Sequence, residues 1–87
     1  MYQIKLKMNK QLIECVPNIS EGQDLHKIHT IANVVKEVEG VKLLDVDPGK
    51  ATNRTVITFV GEPKNVIEAA FRLIKKAAEL INMSKHS

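Results

Sequence analysis

The sequence predicts an α/β fold of the α+β sandwich kind: a β-α-β-β-α split-βαβ, a ferredoxin-like half with a mixed sheet and helices on one face. Three observations carry this expectation. Short runs rich in β-branched residues alternate with two longer stretches of helical periodicity. Gly, Pro, Asn and Asp punctuate the junctions between them. A chain of 87 residues also has room for only one small domain, or a piece of a larger one.

Each element has a local reason. Residues 11–16 read as a strand, with Leu12-Ile13-Glu14-Cys15-Val16 stopped by Pro17, which has no N–H for a ladder. Residues 18–23 are turn chemistry. Asp24 is placed to cap a helix in which Leu25, Ile28, Ile31, Ala32, Val35 and Val38 repeat at helical spacing. Gly40 stands where a left-handed residue would end that helix. Residues 41–47 form the next strand, followed by a turn through Pro48, Gly49, Lys50 and Ala51. Residues 54–60 are a β-branched strand ended by Gly61. Pro63 suits the first turn of a second helix with an apolar stripe of Val66, Ile67, Ala70, Leu73, Ile74, Ala77 and Ile81.

The strand at 54–60 is expected to insert between the other two, which run parallel through a right-handed crossover. A complete ferredoxin-like unit would add a fourth strand after the second helix, paired with the strand at 11–16. Residues 1–10 stand apart. Tyr2, Ile4, Leu6 and Met8 alternate with Gln3, Lys5 and Lys7, so the segment reads either as an extra edge strand or as an upstream extension with Met8 as the start.

Charge and composition narrow the function classes. The net charge is +3, but removing Lys5, Lys7 and Lys10 leaves ten basic residues against ten acidic ones. The basic excess is therefore a property of the first ten residues, not of a domain face, and aromatic content is 3%. Nucleic acid is not an expected partner. No apolar run reaches the roughly 20 residues that cross a bilayer, and no secretory signal is visible. With one cysteine, a reducing cytoplasmic setting is expected.

Sorting the strands by face gives one wholly apolar set: Ile13, Cys15, Leu44, Val46, Ile57 and Phe59. This set suits the layer beneath the helices. The opposite set holds Leu12, Glu14, Val16, Val41, Leu43, Asp45, Asp47, Arg54, Val56, Thr58 and Val60. It is apolar across its middle, so a further layer from another domain or subunit is expected to cover it, with its polar residues lining a cleft. A half-exposed sheet with ordinary cross-strand salt bridges is the competing expectation.

Most local motifs carry little. Gly49-Lys50-Ala51-Thr52 lacks the first glycine and the following helix of a phosphate-binding loop. His26 and His29 lack the further ligands a metal site needs, and Cys15 reads as a small core residue. Residues 47–54 are richer, with the Asp47 carboxylate, the Asn53 amide and the Arg54 guanidinium. Arg54 suits bidentate capture of a carboxylate and Asp47 could accept from a cationic amidine, against a plain salt-bridged turn. Asn18 to Gly22, leading into the first helix, also offers backbone N–H groups to an anion.

Taken together, Leu12-Ile13-Glu14-Cys15-Val16-Pro17-Asn18-Ile19-Ser20-Glu21-Gly22 resembles the opening of the folate-dependent glutamate formimidoyltransferases, the formiminotransferase domain. Leu43-Leu44-Asp45-Val46-Asp47-Pro48-Gly49, Thr52-Asn53-Arg54-Thr55-Val56, Thr58-Phe59-Val60-Gly61 and Leu80-Ile81-Asn82-Met83-Ser84-Lys85-His86 are similar to the same family in one register. The resemblance makes residues 11–87 part of an N-terminal formiminotransferase subdomain, with 1–10 outside it. It implies formimino transfer from N-formimino-L-glutamate to tetrahydrofolate, the co-substrate, in histidine degradation, with no metal.

It further implies two α/β subdomains whose sheets face each other across the substrates, with Asn18, Asp47, Asn53 and Arg54 near the cleft. The family's catalytic histidine falls in a Glu-His-Pro motif beyond Ser87, and His86 matches an earlier histidine. The 87-residue chain alone is therefore expected to be inactive. Its expected partners are the rest of the domain, a second chain or another copy of itself. A stand-alone binding or assembly module, or one half of a split enzyme, is the alternative.

Overall fold

The computed structural model describes the backbone of residues 6–9 and 12–85, and side chains over 12–81. Tyr2, Ile4 and His86 lie outside the described residues. The elements in chain order are β1 (Leu6–Asn9), β2 (Leu12–Cys15), β3 (Asn18–Ile19), α1 (Leu25–Lys36), β4 (Val41–Gly49), β5 (Arg54–Gly61) and α2 (Pro63–Lys85). The fold is α+β: one antiparallel sheet with two helices packed against it. Among the described residues no helix is long and apolar enough to cross a membrane.

β5 is the central strand. β2 and β3 lie end to end along one side of it, β4 lies along the other, and β1 pairs with the far side of β2. β2 and β4 point the same way, as a βα crossover requires, but β5 separates them. Every described ladder is therefore antiparallel, and the expected mixed sheet does not form. Pro17 interrupts the first strand without ending it. Its carbonyl accepts from the Ile57 amide at 3.0 Å, and pairing resumes at Asn18 and Ile19 opposite Val56 and Thr55. Residues expected to be turn thus extend the sheet.

β4 contains a second departure. Its register against β5 runs through Leu43 opposite Phe59 and then Asp45 opposite Thr58, so the strand carries a bulge at Leu44. One extra residue exchanges the faces on its two sides. Val41 and Leu43, expected on the open face, pack against the core with Val46, while Leu44, expected inside, is 47% exposed. β4 also runs on to Gly49, two residues past its expected end.

The helices cover one face. Asp24 caps α1 as expected, its Oδ1 accepting from the Lys27 amide at 3.1 Å. α1 stops at Lys36 with Glu37 as its C-cap; Gly40, at φ 85°, then turns the chain into β4. Pro63 opens α2, with the Glu62 carbonyl accepting from the Asn65 and Val66 amides. Fully buried Cys15, Ile19, Ile57 and Phe59 meet Ile28, Ile31 and Val35 of α1 and Val66, Ala69, Leu73 and Ala77 of α2. Leu25 and Ile67, assigned to the apolar stripes, are instead exposed, and Val34 and Ala69 are buried in addition.

Candidate functional site

The face of the sheet away from the helices holds the chemistry. Asn18 on β3 and Asp47 on β4 both register against Val56 of β5, one from each side, while Arg54 begins β5 opposite Gly49. These residues and Thr52 line an open groove of about 560 Å³ floored by Val56. Asn18 is half-buried; Asp47 and Arg54 are exposed at the rim. Among the described residues neither the Asp47 carboxylate nor the Arg54 guanidinium has an ion-pair partner, so the cross-strand salt bridge of the competing expectation is absent here. An anionic and a cationic group thus stand in one concavity, each free to engage a ligand group of opposite sign.

Asn53, the fourth expected site residue, does not line the groove. It sits at φ 53°, a left-handed conformation that Asn tolerates better than most side chains, at the end of the β4–β5 turn closed by its own amide on the Lys50 carbonyl. Its Oδ1 accepts from the Gly22 amide at 2.9 Å and so ties the turn to the loop before α1. A second tie lies beside it. The hydroxyl of fully buried Thr55 donates to the Glu21 carbonyl. Thr55 shares the strand parity of Ile57 and Phe59, so a polar residue in a core position was the available signal for it.

Gly22 explains why the two segments can touch. A Cβ there would lie 2.6 Å from the Arg54 amide nitrogen and 2.9 Å from the Asn53 carbonyl carbon. Only glycine lets this loop seat against the groove wall. The same contacts take up one of the amides expected to meet an anion before α1, that of Gly22, and the two that follow it. Asn53 takes the Gly22 amide, and the Glu21 carboxylate accepts from the amides of Gln23 and Asp24 at 3.2 and 3.0 Å. These three amides are therefore already engaged within the protein.

The remaining candidates lie elsewhere. His26 and His29 are exposed on α1, on the helix layer rather than at the groove. Among the described residues no three His, Cys, Asp or Glu side chains gather as a metal-binding group. Cys15 is buried beneath the helices, and burial pushes its thiol up to about 11. A second hollow of about 290 Å³ between α1 and α2 is lined by Arg72, Lys75 and Lys76, but Arg72 is paired with Glu68 and Lys76 with Glu79.

Comparison with known proteins agrees with the resemblance seen in the sequence. Residues 12–87 match the formiminotransferase domain, N-terminal subdomain. A formimidoyltransferase-cyclodeaminase of Dictyostelium discoideum is 53% identical over 79 residues, 91% of this chain and 14% of that protein. The Mus musculus protein of the same name is 51% identical over 76 residues, 87% of this chain and 14% of its own. A glutamate formimidoyltransferase of Thermoplasma acidophilum is 47% identical over 75 residues, 86% of this chain and 25% of its own. The chain thus spans between 14% and 25% of the length of these relatives.

Proposed function

The chain belongs to the formiminotransferase domain family, as its N-terminal subdomain, and from that premise we propose that it supplies the ligand-holding face of a glutamate formimidoyltransferase. The donor in this reading is N-formimino-L-glutamate and the acceptor tetrahydrofolate, in histidine degradation. The observation that carries the reading is the groove of Asn18, Asp47 and Arg54, whose two charged groups are unpaired among the described residues. Arg54 would take a substrate carboxylate and Asp47 the formimino cation. Asn53 would act from behind, holding the loop at Gly22 that backs the groove.

In this reading proton transfer falls, as the family resemblance implies, to a histidine outside these 87 residues. General acid–base catalysis needs a group within hydrogen-bond reach of the moving proton. The histidines on α1 belong to the opposite layer of the fold, and Cys15 is covered by helices. We therefore assign the acid–base group to a layer packed on the open sheet face, from the rest of a formiminotransferase domain or from a second chain. Half-exposed Leu12 and Leu44 on that face support this arrangement.

Isotope-edited titration of the 87-residue chain with N-formimino-L-glutamate tests the proposal. The expected result is weak binding that shifts the amides of Asn18, Asp47 and Arg54, is lost in Arg54→Ala, and leads to no turnover when tetrahydrofolate is added. Turnover by this chain alone would overturn the assignment of the acid–base group. Shifts confined to α1 and α2 would overturn the groove.

A further inference from the structure

The outer edge of β2 is where a split βαβ fold seats its final strand. A chain leaving β5 through α2 and returning by a right-handed crossover reaches the sheet parallel to β5 and beyond β2. It would therefore pair antiparallel with β2. In this protein that position is filled from the other end of the chain. β1 lies beyond β2 and pairs with it antiparallel, Leu6 opposite Cys15 and Asn9 opposite Leu12. Both slot and direction are those of the closing strand. The residues that do this precede the stretch 12–87 matched by the family.

We propose that β1 takes the slot of the closing strand of this sheet in cis and so denies the β2 edge to strands of other molecules. An open edge presents a row of unpaired N–H and C=O groups that templates association. The hydrogen-bond phase of the ladder identifies which groups β1 satisfies. Ile57 donates to the Pro17 carbonyl, and the β2–β5 register continues from there without a shift. Backbone groups alternate sides along a strand, so those of Ile13 and Cys15 point toward β5 while those of Leu12 and Glu14 point toward β1. Lys7 is the residue registered against Glu14. Lys7, within β1, suits a strand whose own outer edge must not pair further. The consequence for assembly is that partners of this chain engage the open sheet face and not the β2 edge. This inference stands independently of the transferase reading.

Amide hydrogen exchange on the full chain, resolved residue by residue, tests it. The Glu14 amide is expected to be protected in the unaltered chain. Lys7→Pro, which removes one β1 donor, should lower that protection at least tenfold and leave Phe59 unchanged, and Lys7→Ala should retain it. Cross-strand amide contacts between Lys7 and Glu14 in the unaltered chain should appear in nuclear Overhauser spectra, which decides the matter if Lys7→Pro does not fold. Rapid exchange at Glu14 without such contacts, or Glu14 protection indifferent to Lys7→Pro in a folded chain, would overturn the proposal.

Discussion

On the helix-covered face of the sheet, Cys15, Ile57 and Phe59 are fully buried, whereas on the opposite face Leu12 and Leu44 are 49% and 47% exposed. The covered face interdigitates with α1 and α2 and leaves no buried side-chain polar atom unpaired among the described residues. The open face carries Asp47 and Arg54, which have no ion-pair partners among the described residues. Adjacent residues of one strand serve these two regimes in alternation, because successive side chains point to opposite sides. Packing is concentrated on one side, and the proposed ligand groove lies on the other. Substitutions at neighbouring positions should therefore separate the two.

The largest expected effect is on the covered side. Phe59→Ala empties the middle of the core and should cost about 3–5 kcal/mol in denaturant unfolding. Leu12→Ser, three positions from Cys15 on the other face, should change unfolding by less than about 1 kcal/mol. It should also shift the sedimentation of the chain toward monomer, since an uncovered apolar face is expected to draw copies together. Equal costs for the two substitutions would mean that the open face is as deeply packed in solution as the core. A chain that sediments as a concentration-independent monomer before any substitution would remove self-association from the account.

The two faces were not equally legible in the sequence. Element order, the inserted central strand, the Asp24 cap and the Pro63 start all follow from local chemistry, and each appears in the structure. The face assignment of β2 and β5 also holds, since strict alternation suffices where the ladder is regular. It fails in β4. Leu43 and Leu44 are both apolar, so no pattern marks either as the extra residue, and only the pairing partner shows the bulge. The α2 stripe was misread for a related reason. Its apolar arc is wider than the surface that touches the sheet and α1, leaving Ile67 66% exposed. At the groove, strand parity and a short turn bring Asp47 and Arg54 together, whereas Asn18 lay in an expected turn and was placed near the cleft only by the family resemblance. The bond from Asn53 to Gly22 joins residues 31 apart in the chain, and no local spacing encodes that.

The middle-sized effect sharpens the boundary between the faces, where the loop before α1 meets the β4–β5 turn. Gly22→Ala must move backbone, because the atoms that crowd its Cβ are the Arg54 amide and the Asn53 carbonyl carbon. A cost of about 1–3 kcal/mol is expected, in the range of overpacked sites. Asn53→Ala removes the Gly22 acceptor and leaves a less tolerant residue at φ 53°, for about 1–2 kcal/mol. Asn53→Asp keeps an acceptor and should recover most of this loss. If both variants bind N-formimino-L-glutamate normally despite the lost stability, this boundary is structural alone. If binding falls with Asn53→Ala and returns with Asn53→Asp, the clamp also positions Arg54.

The smallest effect is a titration on the covered face. Burial raises the Cys15 thiol from an ordinary 9.0 to about 11, so the native chain holds this proton more tightly than the unfolded one. The corresponding stability is fully present below pH 9.0 and is lost as pH rises toward about 11. By about pH 9.5 the loss should be roughly 1 kcal/mol or less relative to neutral pH. Other groups titrate in the same window, so the informative quantity is the difference in pH slope between the unaltered chain and Cys15→Ala. The slope of the unaltered chain should be the steeper. Val16→Cys in the Cys15→Ala background supplies the matching test on the open side: its half-exposed thiol should alkylate readily near pH 8, where Cys15 does not. Equal alkylation of the two thiols in the folded chain would mean that the helix layer opens on the timescale of labelling, and the contrast between the faces would then be one of average structure only.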